Sequence, residues 1–518
     1  MKSDGLNGYV IDLKIPEPSL LDNTAHAERV KKALKGQTGI ENIKISLNII
    51  KKISSVLKES CNRIKVVIFR EARGWVMADL VRGDKGAVFL GVAADIGTTR
   101  VVIRLVDLES REILIEKGFD NPQTAIGPDV LSRIHHAKDQ HGLDELCSLL
   151  IEGFNNNISD LCNRIDCKSD DIYLFAGAGN TSMTHLFLGI DPSGIIREPY
   201  IPSVNKPDSV KAASLGLKLN PSALCFLFPN IGSYFGGDLI AGILYSNLNK
   251  LEKPCIMVDV GTNAEVVVGC RDWLVACAGA AGPALEGGVS DIGMTAGPGV
   301  IDKVSINKDT DELEFTTIDG RPAIGICGSG MIDLAAALFL SGRIDIRGKF
   351  IKEKCGQKLY RRAGTDFFLL VPRESSGTGE DIGISQIDLN SLTSSKAAMY
   401  TILEVIVCNT AGLNFKDLAK FYVAGTFGSF IDPESAISIG MLPDIKRDKF
   451  EVLGNSSLGG ATKLLTDPGA FDRVYAIGNS ITYIELNVNA EFMNMFSGAK
   501  FYPHTDKSRF PSIRFPEQ

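Results

Sequence analysis

Two short phrases in this sequence each combine a carboxylate, a glycine and hydroxyl or amide side chains. Asp95-Ile96-Gly97-Thr98-Thr99 closes one apolar run, and Asp259-Val260-Gly261-Thr262-Asn263 closes another. An aspartate at a strand end orients a hydrated divalent metal, a glycine lets the backbone approach a phosphate, and the N–H and hydroxyl groups that follow donate to its oxygens. On this reading Asp95 and Asp259 orient Mg2+ through water, while Gly97, Thr98, Thr99, Gly261, Thr262 and Asn263 form the phosphate loops. Two such loops predict two facing lobes that grip a nucleotide from both sides. A third motif, Val423-Ala424-Gly425-Thr426-Phe427-Gly428-Ser429-Phe430, would lay Gly425, Thr426 and Gly428 against an adenine and its ribose; taken alone it is also a plain strand-to-helix turn. ATP carries its own leaving group, so the chemistry left to the protein is positioning and charge neutralisation. Glu265, and Asp238 in Phe235-Gly236-Gly237-Asp238, are candidates to orient an attacking water, with Glu286 a further one. Asn180, in Gly177-Ala178-Gly179-Asn180-Thr181-Ser182, lies where first-lobe loops would face the cleft. Gly325-Ile326-Cys327-Gly328-Ser329-Gly330 reads either as an anion loop at a helix N-terminus or as close packing of loop on sheet.

The elements that must hold these residues follow from hydrophobic periodicity. Residues 1–89 read as a small α/β domain: a strand over 8–15, a helix capped by Asn23 and running to Gly36, a second helix over 49–57, strands over 64–69 and 75–80, and a turn at 82–84. Residues 90–250 read as the first lobe, with three closely spaced strands (90–96, 101–105, 113–119), helices over 130–141 and 143–157, and a strand at 172–175. The second lobe, 251–518, opens the same way (255–260, 264–269, 273–277), then reaches a helix over 396–411 and a strand at 421–424 only after a glycine-rich insertion of about 279–390. Within the insertion, 362–383 reads as mobile. The order β-β-β-α-β-α in both halves predicts an α/β architecture, a duplicated ribonuclease-H-like (actin/Hsp70-type), two-lobed ATPase with a small N-terminal α/β domain.

Composition excludes several classes. With 518 residues, 23% charged and 44% hydrophobic, the chain is ordinary globular protein of several domains. A net charge of −7 without a basic stripe argues against nucleic acid as a partner. No apolar run approaches the roughly 20 residues of a membrane span, and the expectation is a soluble cytoplasmic protein. The eleven cysteines are scattered, without a Cys-x-x-Cys, and several sit in apolar runs as buried thiols would. Cys162 and Cys167 have the gap that opens a plant-type iron–sulfur pattern, but Asp170 stands where the third cysteine belongs. Neither a zinc-ligand spacing nor a Ser/His/Asp nucleophile context occurs.

By its two Asp-x-Gly-Thr loops and Ala424-Gly425-Thr426-Phe427-Gly428 the chain resembles the acetate and sugar kinase, Hsp70 and actin superfamily. Within it, the chain is similar to the reductive activators of corrinoid proteins. The words that carry this are Asn121-Pro122-Gln123 with Gly127 and Asp129-Val130-Leu131-Ser132-Arg133-Ile134, then 177–184, Gly236-Gly237-Asp238, 282–287, 325–330 and 454–461. Ile15-Pro16-Glu17-Pro18-Ser19-Leu20-Leu21-Asp22-Asn23 resembles the opening of that family's middle domain. The resemblance implies an ATP- and magnesium-dependent activator that helps return a corrinoid cobalt from Co(II) to Co(I) so that a methyltransferase resumes work. Family members carry an iron–sulfur domain ahead of the middle domain; this chain starts where the middle domain would start, so the expectation is an activator without a cluster of its own, fed by a separate electron donor. The implied partner is the corrinoid protein of a methyltransferase system, with a homodimer possible. A small-molecule kinase of the same superfamily, and a nucleotide-binding regulator without turnover, are the alternatives.

Overall fold

The computed structural model describes residues 6, 8–71, 74–83, 86–260, 263–280, 290–307, 310, 312–425, 428–486 and 490–515. The chain divides into two compact units, one of residues 1–245 with 456–480, the other of 246–455 with 481–518.

The first unit begins with a four-stranded sheet in the order Val10–Lys14, Arg63–Glu71, Gly74–Arg82, Ile43–Ile45, with only the last pair parallel. Helices His26–Thr38 and Leu47–Glu59 cover it. Ile49, Ile53 and Leu57 recur every fourth residue and are all buried, the stripe an amphipathic helix must hide. The first helix starts later than Asn23 predicts: its N-cap is Ala25, and Gly39 closes it in the left-handed region at φ 72°.

The remainder of this unit is a six-stranded sheet in the order Ile113–Asp120, Arg100–Asp107, Leu90–Ile96, Ile172–Gly179, Leu224–Leu227, Val210–Lys211. The first three strands are antiparallel, while Ile172–Gly179 and Leu224–Leu227 run parallel to Leu90–Ile96. Ile172–Gly179 is buried along its whole length, as a central strand covered on both faces must be. The helix predicted over 130–141 stops at His136; Asp139 then caps the long helix Gln140–Arg164 by accepting from Gly142 N at 3.0 Å. Helices Ser456–Thr466 and Ala470–Ser480, expected in the second lobe, group with this sheet instead. The reason is local: a Cβ on Gly91 would lie 3.0 Å from Leu465, and one on Gly459 would lie 2.6 Å from the ring of Tyr245, so small residues let this helix press onto strand and helix alike.

The second unit repeats the plan. Its sheet runs Phe450–Gly454, Phe421–Ala424, Cys255–Val260, Asn263–Cys270, Trp273–Ala280, Ile481–Glu485. Cys255–Val260, Asn263–Cys270 and Trp273–Ala280 are antiparallel, and Phe421–Ala424 and Phe450–Gly454 continue parallel to Cys255–Val260. The duplicated ribonuclease-H-like fold is therefore present in both units. The insertion has its own structure: one sheet of Leu313–Thr317, Val300–Ile306 and Gly325–Ile326, another of Leu359–Arg362, Thr365–Val371 and Ile382–Ser385, and the buried helix Gly328–Leu340. The segment expected to be mobile is ordered, because Thr365–Val371 pairs on both sides and Gly377 N donates to Ala323 O at 2.7 Å. The helix predicted from residue 396 starts at Gln386, where Ser385 and Asp388 form a reciprocal capping box, and it passes into a π-helical turn over Val405–Thr410.

Candidate functional site

In the first unit three loops converge at the C-terminal ends of parallel strands, the edge where open α/β sheets bind ligands. Asp95 is half-buried at the end of Leu90–Ile96, opposite Val102 on one side and Ala178 on the other. A Cβ on Gly97 would collide with Arg100 O, so the turn that follows the aspartate tolerates no side chain there. Asn180 follows the strand Ile172–Gly179. Its Nδ2 donates to Thr98 Oγ1 at 3.1 Å, and its Oδ1 accepts from Met183 N at 2.9 Å, capping the helix Thr181–Leu188. Asp238 lies in the first turn of the helix Gly237–Ser246; a Cβ on Gly236 would strike Asn180 Cα and lie 2.6 Å from Asp238 Oδ1. Asp95, Gly97, Thr98, Thr99, Asn180 and Asp238 thus belong to adjacent loops, as the motifs predict, with Thr99 the most exposed of the loop residues.

In the second unit Asp259 ends the strand Cys255–Val260, directly opposite Glu265 in the antiparallel register and beside Ala424 in the parallel one. Gly425 has φ 85°, and a Cβ there would lie 2.7 Å from Asp259 Oδ1 and 3.1 Å from Val260 O. Only glycine leaves that space beside the carboxylate. Gly428 opens the short 3-10 turn Gly428–Phe430, held close to Val423. Gly261, Thr262, Glu286 and Thr426, and the side chain of Asn263, lie outside the described residues. Asp95 and Thr98 in the first unit, and Asp259 and Glu265 in the second, each offer oxygen, the donor a hard divalent cation such as magnesium prefers. Among the described residues no group of three His, Cys, Asp or Glu could hold a metal ion. The glycine run over 325–330 resolves toward packing: a Cβ on Gly330 would lie 2.7 Å from Ile301 O, and one on Gly325 the same distance from Ile292 O.

Sequence reasoning from chemistry alone did not reach the support behind the Asp95 loop. Asn121 is fully buried; its Nδ2 donates to Gly97 O at 2.9 Å and its backbone N to Thr99 O at 2.8 Å. Gln123 and Arg133, also fully buried, lie behind it, with Arg133 Nη1 donating to Gln123 Oε1 at 3.2 Å. Burial pushes the Arg133 guanidinium down to about 10, still charged at neutral pH. The signal in the sequence was an Asn-Pro step just past a strand end and an arginine beside the apolar Ile134.

Two ribonuclease-H-like sheets, each with an aspartate at the end of its first strand, define a protein of the acetate and sugar kinase, Hsp70 and actin class. Family models agree: residues 253–514 match the C-terminal domain of RACo, its ASKHA domain, residues 90–251 the RACo middle region, and residues 9–86 the RACo linker region. The chain belongs to the RACo family, the reductive activators of corrinoid proteins. The family gives the name linker to the segment we likened to the middle domain. Among relatives, the corrinoid activation enzyme RamQ of Eubacterium limosum is 31% identical over 458 residues, spanning 87% of this chain and 76% of that protein. The [Co(II) methylated amine-specific corrinoid protein] reductase of Methanosarcina barkeri is 26% identical, spanning 78% and 76%. The solved structure of a reductive activator for corrinoid, iron–sulfur protein superposes with TM-score 0.85 at 35% identity, covering 99% of this chain and 82% of that one.

Proposed function

We propose that this chain is an ATP-dependent activator of a corrinoid protein, supporting the return of its cobalt from Co(II) to Co(I) for a methyltransferase system. The observation that carries this reading is the run of family matches over 9–514, together with relatives named for corrinoid activation and for reduction of a Co(II) corrinoid protein. ATP binds at the strand-end loops. Magnesium, when bound, neutralises phosphate charge. Asp95 and Asp259 orient its water shell, and Thr98, Thr99, Gly261, Thr262 and Asn263 hold the phosphates. Gly425, Thr426 and Gly428 carry the base and ribose, and Asp238 or Glu265 orients the attacking water. Hydrolysis or binding of ATP contributes by favouring one state of the bound partner, the only way a ligand shifts an equilibrium. On this reading electrons come from a separate donor. No helix among the described residues is long and apolar enough to cross a membrane.

The test mixes the protein with ATP, magnesium, a low-potential reductant and a candidate corrinoid protein, and follows the Co(II) absorbance. The expected outcome is a loss of Co(II) signal that requires ATP. No ATP-dependent change across several corrinoid proteins overturns the proposal.

A further inference from the structure

Arg133 is the largest fully buried side chain in the described structure. A guanidinium out of water normally meets a carboxylate, because an unpaired buried ion costs several kcal/mol (roughly). The hydrogen-bond partners given to Arg133 are instead neutral. Nε donates to Gly127 O at 2.8 Å, Nη1 to Gln123 Oε1 at 3.2 Å and to Met183 Sδ at 3.5 Å, and Nη2, among the described residues, has no hydrogen-bond partner. Asp129, the N-cap of the same helix, acts on it only through space.

Those partners lead to the Asp95 loop by two routes. Gln123 is tied to Asn121, whose Oδ1 accepts from Gln123 N at 3.0 Å, and Asn121 Nδ2 donates to Gly97 O. Met183 N donates to Asn180 Oδ1, and Asn180 Nδ2 in turn donates to Thr98 Oγ1. Across a trans peptide the C=O and the following N–H point opposite ways. With Gly97 O turned inward onto Asn121, the Thr98 N–H is turned outward, away from the core. The same arrangement sets the loop's geometry and places a positive charge behind it.

We infer that Arg133 is a positioning residue for the Asp95 phosphate loop, holding Asn121 through Gln123 and supplying the buried positive charge against which a nucleotide polyphosphate binds. This rests on the nucleotide reading of the site given above. The ligand class it selects is set by phosphate number: the charge acts on the polyphosphate and not on the nucleoside.

The experiment measures magnesium-dependent binding of ATP, ADP and adenosine to the whole chain and to Arg133→Met, Arg133→Lys and Asn121→Ser, with thermal melting in parallel. In R133M, ATP binding weakens roughly tenfold, what unit charges about 12 Å apart exchange through an effective dielectric of about 20. ADP weakens less, adenosine is unchanged, and the melt stays cooperative. R133K restores most of the ATP affinity. N121S, which keeps the charge and removes the tie to Gly97, also weakens ATP while sparing adenosine. An ATP-to-adenosine affinity ratio equal to wild type in R133M overturns the inference, and should R133M not fold, the same result in N121S overturns it. A wild-type chain that binds neither ATP nor adenosine instead brings down the nucleotide reading, and the inference with it.

Discussion

The aspartates Asp95 and Asp259 end equivalent strands of equivalent sheets, yet their neighbours differ. Behind Asp95 lies a buried arginine reached through Gln123 and Asn121, and the residue across the antiparallel pair is Val102. Across from Asp259 is a second carboxylate, Glu265, and Gly425 presses its backbone against the Asp259 oxygen. One motif thus occurs twice with different neighbours behind it.

The comparison breaks most sharply at the aspartates. Asp259→Ala is expected to lower ATP turnover at least about a hundredfold, the scale of losing a preorganised charge at a reacting centre, and Asp95→Ala to lower it less, with both chains still folded. Phosphate release measured with and without the corrinoid partner decides it; unchanged turnover in both variants sinks the two-loop argument. Glu265→Gln probes the carboxylate pair itself. Turnover should fall roughly tenfold, with a higher magnesium requirement, as a positioned carboxylate is lost. A magnesium titration reads it, and a turnover and magnesium requirement equal to wild type remove Glu265 from the site.

The smallest effect concerns the helix that carries Asn180. His185 is fully buried; its Nδ1 lies 2.7 Å from Thr181 O, Val204 N donates to Nε2, and burial lowers its pKa below the ordinary 6.5 despite nearby Asp191. A histidine kept neutral when folded leaves the unfolded chain to take up the proton first. Stability is therefore full above about pH 6.5 and falls as the pH drops below it, levelling once the folded histidine also charges. A few degrees of melting temperature should be lost between pH 7 and 5, and His185→Gln should flatten that slope. An identical slope in the variant removes His185 from the account.

Much of this was legible in the residues. The strands carrying Asp95 and Asp259 are unbroken apolar runs, so their ends, and the turns that follow, could be placed within a residue or two. Phe421–Ala424 lies where its apolar run puts it. What escaped depends on contacts distant in sequence. The burial of Arg133 escaped, because nothing local reveals that Gly127, Gln123 and Met183 close over it. The helix at 386–404 begins ten residues early because the Ser385–Asp388 capping box, a polar signal, outranked the apolar run further on. The Ser/Gly-rich stretch near 375 read as loose, yet its neighbour Thr-Asp-Phe-Phe-Leu-Leu-Val is a strand whose partners come from either side of it.

The placement of Ser456–Ser480 has a covalent consequence. The chain leaves the first unit at Tyr245, returns at Ser456 and leaves again after Ser480. Three peptide connections therefore join the units, and no single cut yields either one whole. A chain ending at 245 would lack the helix whose Leu465 covers Gly91. Each unit is stitched from stretches that are not contiguous in the chain, so neither can be excised as one segment.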